Sequence, residues 1–319
     1  MKLIITIDTE EDNWAKWSAT HNGIQNIEQI IPLQKVFDRY GAKPTYLISY
    51  PVASNPRSVE ILKRILEEDK CEIGMHCHPW NTPPIKDNGE IGARDTMLCN
   101  IPADLVYDKL SYLDETIYKN FRVKAVTFRA GRWGFGPAVA LALCRLGYRF
   151  DTSVTPYVNW KGYKGPDFSG FGPDSFKFAF QGIEHKTESG TLTEIPVTIG
   201  FLHPRIVHLL RWMKTLKKSL ARRPNTARIL ERLGLMDVVW LSPELSGSRD
   251  MIRLAKRTEK NNSSFLNLTF HSVSLQKGMS PFVKTKEDEA RFIQKIECFL
   301  RFACEAGWQR MTLRELEKC

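Results

Sequence analysis

The run Asp8-Thr9-Glu10-Glu11-Asp12 follows directly on the apolar stretch Lys2–Ile7. Four carboxylates within five residues repel one another unless a cation or a base relieves them. On an extended chain Asp8 and Glu10 point the same way and can face one ion; a solvated acidic loop is the alternative. The second group is Gly74-Met75-His76-Cys77-His78-Pro79-Trp80. Two histidines one residue apart can both reach a metal from a strand end, and imidazole with carboxylate suits zinc or a similar divalent ion. In the third group, Phe128-Arg129 is followed by Gly131-Arg132-Trp133-Gly134 and then Gly136-Pro137. The glycines let backbone N–H groups come close to a ligand, as an oxyanion hole requires; a plain turn into a helix begun at Pro137 would use them equally. Last, Phe265–Phe270 reads as a strand ending at His271, a histidine placed either for proton transfer or for packing.

These residues lie far apart along the chain, so the elements between them must bring them together. Strand-like runs at Lys2–Asp8, Pro44–Tyr50, Cys71–Met75, Lys124–Arg129 and Tyr148–Ser153 alternate with helical patterns at Asn26–Tyr40, Ser58–Glu68, Ala103–Tyr118 and Pro137–Leu146. Such alternation predicts a parallel sheet or a β/α barrel. In a barrel of this kind the reactive side chains collect after the C-terminal ends of the strands. Asp8, Glu10, His76, His78, Arg129 and His271 all stand there, and Asp151 lies within or just after the fifth strand.

In order and placement, this pattern resembles the polysaccharide deacetylase (NodB-homology) family over most of the chain. Thr6-Ile7-Asp8-Thr9-Glu10 is similar to its first motif, Glu72-Ile73-Gly74-Met75-His76 to the approach to its metal-binding histidine, and Phe128-Arg129 to its third motif. Phe150-Asp151 is similar to its fourth motif, His271 to its late histidine, and Met311–Leu316 to its closing segment. Gly131–Gly134 and His76–Trp80 further resemble a subgroup associated with surface-polysaccharide gene products. Two positions depart from the pattern: Trp80 stands where the family has its second metal histidine, so His78 takes that part, and Glu10 replaces an aspartate.

The resemblance implies an α/β fold, a distorted (β/α)7-type barrel, and metal-dependent hydrolysis of an N-acyl group on a sugar or glycan. It implies a divalent ion, zinc by ligand preference, on Glu10, His76 and His78. Asp8 becomes the general base, Arg129 its orienting partner, His271 the general acid and Asp151 the partner of His271. Trp80, Arg132 and Trp133 are the expected substrate contacts. Rival readings are hydrolysis of another non-peptide amide on the same scaffold and a catalytically silent carbohydrate-binding protein. A glycoside hydrolase needs acids on opposite sides of a cleft, which neighbours such as Asp8 and Glu10 do not supply.

Between residues 201 and 262 the rhythm breaks into basic helical patterns, which predicts a helical insertion or lid. The barrel then spans 1–200 and 263–319. Segment 205–232 carries nine Lys or Arg against one acid, Glu231, and supplies most of the net charge of +10. Ile206, Leu209, Met213, Leu216 and Leu220 share one helical face, and Arg211, Lys214, Lys218 and Arg222 another. Such a helix either packs on the barrel as a lid or meets an anionic membrane or a lipid-linked glycan. No groove-reading motif accompanies the charge, so nucleic acid is not an expected partner. The seven cysteines are scattered without a CxxC pair. The N-terminal apolar run is too short for a signal peptide, and no stretch reaches the ~18 apolar residues of a membrane span. A cytoplasmic setting is therefore expected, with the basic segment as a candidate contact to the inner face of the membrane.

Overall fold

The structure is a computed structural model and describes residues 1–12, 14, 17–20, 22–85, 92–202 and 238–318. In chain order the main elements are β1 (Lys2–Thr9), α1 (Ile30–Arg39), β2 (Thr45–Ile48), α2 (Tyr50–Ser54), α3 (Pro56–Glu67), β3 (Glu72–Cys77), α4 (Ala103–Phe121), β4 (Thr127–Ala130), α5 (Pro137–Leu146) and β5 (Phe150–Asp151). They continue with β6 (Phe176–Phe178), β7 (Leu192–Glu194), β8 (Ile199–Phe201), β9 (Val238–Trp240), α6 (Ser248–Lys260), β10 (Phe265–His271), α7 (Lys286–Glu305) and β11 (Gln309–Arg310).

The main sheet runs β10-β1-β2-β3-β4-β5-β7-β6, and β11 joins the start of β1. Every pairing from β10 to β7 is parallel; only β6 runs against β7. The sheet curls, and its ends meet through the β8–β9 pair. Thr198 N–H donates to Asn267 O at 3.1 Å, Leu241 N–H to Thr198 O at 2.8 Å, and Thr269 N–H to Leu241 O at 3.0 Å.

Strand alternation sorts the side chains. Leu3, Ile5 and Ile7 of β1 join the large core under the helices. Ile4 instead joins Val126, Phe150, Ile195, Phe265 and Leu313 in a small apolar cluster. Two residues on, Thr6 is hydrogen-bonded to Asn267 at 2.8 Å, and two further, Asp8 reaches the site. One strand thus passes through an apolar, a polar and a reactive layer. Helix ends follow their local chemistry: Asn55 caps α3 with Pro56 in its first turn, Thr285 and Asp288 form a reciprocal capping box on α7, and Gly147 ends α5 at φ 76°.

Residues 203–237 of the expected insertion lie outside the described residues, and with them segment 205–232 and the membrane or lipid contact attached to it. The remainder, 238–262, holds β9 and α6, and β9 pairs with β8 across the gap. No described helix is long and apolar enough to cross a membrane. Among the described residues the cysteines are free thiols.

Gly74 lies in the middle of β3, where an added Cβ would meet Leu47 Cδ2 at 2.6 Å and the Thr127 carbonyl oxygen at 2.9 Å. Gly74→Ala is expected to destabilise the protein by ~1–3 kcal/mol, read as a lower urea midpoint at an unchanged slope.

Candidate metal and catalytic site

The four carboxylates after β1 separate into four tasks. Asp8 Oδ1 accepts from Arg129 Nη1 at 2.6 Å. Glu10 Oε2 lies 3.5 Å from His76 Nε2 and 3.3 Å from His78 Nε2. Glu11 accepts from Asn81 at 2.7 Å and Ser49 at 3.0 Å, and lies 3.0 Å from His78 Nδ1. Asp12 accepts the backbone N–H groups of Gln25 and Asn26 and the Asn26 amide, tying the turn down.

Glu10, His76 and His78 each offer a ligand atom within 4.8 Å of the others, and all three are buried. The far side of each imidazole is engaged: His76 Nδ1 with the Arg129 carbonyl at 3.1 Å, His78 Nδ1 with Glu11. With each Nδ1 engaged, both Nε2 atoms are turned towards Glu10, where they donate to the carboxylate when protonated and offer a lone pair to a metal when not. Burial raises the Glu10 carboxyl, but hydrogen bonds from His76 and His78 bring it well below the ordinary range. Burial lowers the His78 imidazole, and the charges of Glu11 and Glu10 reverse this and push it up to about 10. The buried acids draw in positive charge, which a divalent cation supplies at the same lone pairs. This donor set fits such an ion.

Arg129 organises the other half of the site. It is fully buried, and all five of its N–H donors are engaged. Nε donates to Thr152 O, Nη1 to Asp8 and Thr269 Oγ1, and Nη2 to Thr6 Oγ1 and Thr152 Oγ1. Burial pushes the Asp8 carboxyl up, but Arg129 and then the imidazoles of His76 and His271 outweigh it and hold it below the ordinary range. His271 Nε2 stands 3.5 Å from Asp8 Oδ2.

The expected pairing of Asp151 with His271 is corrected. His271 Nδ1 lies 3.0 Å from Glu244 Oε2, and Glu244 Oε1 accepts the His271 backbone N–H at 3.0 Å and the Ser274 hydroxyl at 2.6 Å. Burial lowers the His271 imidazole, and the Glu244 carboxylate and then the Glu10 and Asp8 charges carry it up to about 10. Asp151 stands elsewhere, beside Glu194, with which β5 pairs it on β7. Ser153 Oγ donates to its Oδ1 at 2.7 Å, while Asp151 Oδ2 and Glu194 Oε2 are buried without a donor. Two carboxyls side by side in the core share a proton. Burial raises both, Glu194 furthest, since the Asp151 charge adds to it.

Above the reactive groups lies a cavity of about 550 Å³ with walls that include Trp14, Trp17, Trp133, Trp160, Trp240 and Phe282. Trp80 also lines it, but its ring is stacked on His78, with centroids 4.1 Å apart. Trp133 packs between the Arg129 guanidinium and Trp240, at 5.1 and 6.3 Å. Gly131 lies against His78, since a Cβ there would meet His78 Cδ2 at 2.3 Å.

Sequence reading did not single out Glu11, Glu244, Trp14, Trp17 or Trp240. Glu11 had a signal, since it belongs to the acidic run. Glu244 had none, because nothing in Ser242-Pro243-Glu244 announces a partner 27 residues away.

The chain matches no protein-family model and no curated protein sequence. Solved structures do match it. A Mycobacterium smegmatis protein designated a polysaccharide deacetylase aligns with 99% of this chain and 88% of its own, at TM-score 0.57 and 12% identity. A Parabacteroides distasonis protein designated a glycoside hydrolase/deacetylase aligns over 99% and 70%, at TM-score 0.57 and 13% identity. The chain has the polysaccharide deacetylase barrel. A Thermococcus litoralis 4-alpha-glucanotransferase shares the architecture over 100% of this chain and 40% of its own, at TM-score 0.55 and 12% identity. The deacetylase barrel therefore supports more than one chemistry, and the side chains must decide.

Two outcomes follow from these contacts. Glu11→Gln is expected to weaken zinc binding ~10–100-fold, measured by competition with a chromophoric chelator. A raised carboxyl binds its proton more tightly in the folded chain, so its contribution to stability falls as pH climbs above the ordinary value of 4.5 towards the raised one. Glu194→Gln keeps the acceptor for Val154 N–H and offers Asp151 an amide. Its stability relative to wild type should rise as pH climbs above 4.5, read from urea midpoints.

Proposed function

We propose that the protein is a metal-dependent hydrolase that removes an N-acyl group, acetyl in the first instance, from a sugar or glycan. The observation that carries this reading is the Glu10, His76 and His78 cluster beside two opposed proton-transfer groups, Asp8 and His271, each held by its own partner. Zinc is the proposed ion, because two imidazoles and a carboxylate suit it and leave positions open, the ion displacing any Nε2 proton as it binds. When bound it would polarise the acyl carbonyl and acidify water.

The chain's own groups supply the rest. Asp8, kept ionised by Arg129, takes the proton of the attacking water. His271, protonated and oriented by Glu244, gives a proton to the leaving nitrogen as the tetrahedral intermediate collapses. Backbone N–H groups near Gly131–Trp133 are the candidates to meet the oxyanion. The aromatic walls take the sugar, with Trp133 and the free edge of Trp80 as apolar faces and Arg132 as a polar contact. The products are a free amino sugar and acetate, or formate from an N-formyl substrate. The cytosol is the proposed setting, in keeping with the free thiols.

Elemental analysis of the purified protein tests this directly. About one divalent ion per chain is expected, lost in both His76→Ala and His78→Ala. Asp8→Asn should keep the ion and lose acetate release ~100-fold or more. A wild-type protein that takes up no ion even with added zinc would overturn the hydrolytic reading and leave a carbohydrate-binding protein.

A further inference from the structure

Every carboxylate in the cavity wall is already engaged. Asp8 is taken by Arg129, Glu10 by the two metal-site imidazoles, Glu11 by His78, Asn81 and Ser49, and Glu244 by His271 and Ser274. The one Lys or Arg side chain among the described lining residues is Arg132, and none of these acids pairs with it.

Arg132 is half-buried. Its Nη1 donates to the Thr96 hydroxyl and, at 3.4 Å, to the Ala93 carbonyl. Its guanidinium carbon lies 5.0 Å from the Trp17 ring centroid. It forms no ion pair among the described residues, and burial lowers its pKa, with only the Tyr163 phenol acting the other way. A guanidinium lying on an indole keeps its in-plane N–H edge available, which matches two oxygens of a phosphate or carboxylate.

The backbone reinforces this. Arg132 and Trp133 both adopt left-handed conformations, at φ 53° and 59°. L residues with side chains disfavour this region, and it persists where the surroundings impose it. Here it presents both side chains to the cavity directly after Gly131, the residue pressed against His78. Arg132 thus starts one residue from a contact with the metal ligand.

We infer that Arg132 is an anion clamp, and that the substrate is an N-acylated sugar bearing a phosphate ester or diphosphate, held by Arg132 while its acyl group faces Asp8 and His271. The sugar in this statement rests on the hydrolase reading above; the anion rests on Arg132 alone.

The test is tryptophan fluorescence titration of the zinc-loaded protein with N-acetylglucosamine, its 1-phosphate and its uridine diphosphate ester, with acetate release followed in the same samples. At least one phosphorylated sugar is expected to bind about tenfold or more tightly than the neutral sugar. Arg132→Gln should erase that preference and Arg132→Lys restore part of it. Preference for the 1-phosphate marks a simple phosphate ester as the anion; preference for the diphosphate marks a nucleotide-linked or otherwise diphosphate-linked sugar. Equal affinities, no saturation by any of the three at millimolar concentration, or a preference that survives Arg132→Gln would overturn the clamp. So would an Arg132→Gln protein that melts at a lower temperature with its preference intact, since Arg132 would then only pin the Ala93–Thr96 turn. Acetate release from the phosphorylated N-acetyl sugars that is indifferent to Arg132→Gln would remove the clamp and leave the hydrolase standing. Phosphosugar preference without acyl release would do the reverse.

Discussion

A guanidinium without access to water sits at the centre of this barrel, and the rest of the molecule is arranged to tolerate it. Burying a charge costs several kcal/mol unless its hydrogen bonds and its charge are both met. Arg129 has both met, by side chains and carbonyls from β1, β10 and the segment just after β5. Those elements are brought together only when the sheet has curled far enough for its ends to approach. The five bonds therefore act as a check on closure, and the same check fixes Asp8 in position and in charge.

From Arg129 outward, charges alternate in sign. Asp8 answers Arg129, His271 faces Asp8, and Glu244 answers His271; on the other side, Glu10 faces His76 and His78, and Glu11 answers His78. Each reactive group has a neighbour that sets its ionisation and another that sets its orientation. Low-dielectric surroundings make these pairings strong, and so make the site sensitive to the loss of any one member. The Asp151–Glu194 pair is the exception, with like charge beside like charge, and it is relieved by a proton.

Much of this was legible in the sequence because strand periodicity and residue type act locally. The apolar run before Asp8 read as a buried strand ending in acids. The order of acids and histidines after successive strands predicted one assembled ring, and Asp8, Glu10, His76, His78, Arg129 and His271 do meet. What escaped depended on contacts without a local signature. Asp151 resembled a partner for His271, yet its place in the sheet is beside Glu194, and sequence spacing does not reveal which strand lies next in a curled sheet. Glu244 fell within a stretch read as insertion because the basic composition around it masked three residues of strand. Trp80, expected as a substrate contact, does line the cavity, and its stacking on His78 had no local signature.

The antiparallel register of β8 and β9 joins Phe201 to Val238, so these two points of the chain lie side by side. Four residues after β9 ends, the chain delivers Glu244 to His271. This doorway is stapled again one step on, where Leu241 N–H meets the Thr198 carbonyl, so the approach to Glu244 is held in register by strand pairing.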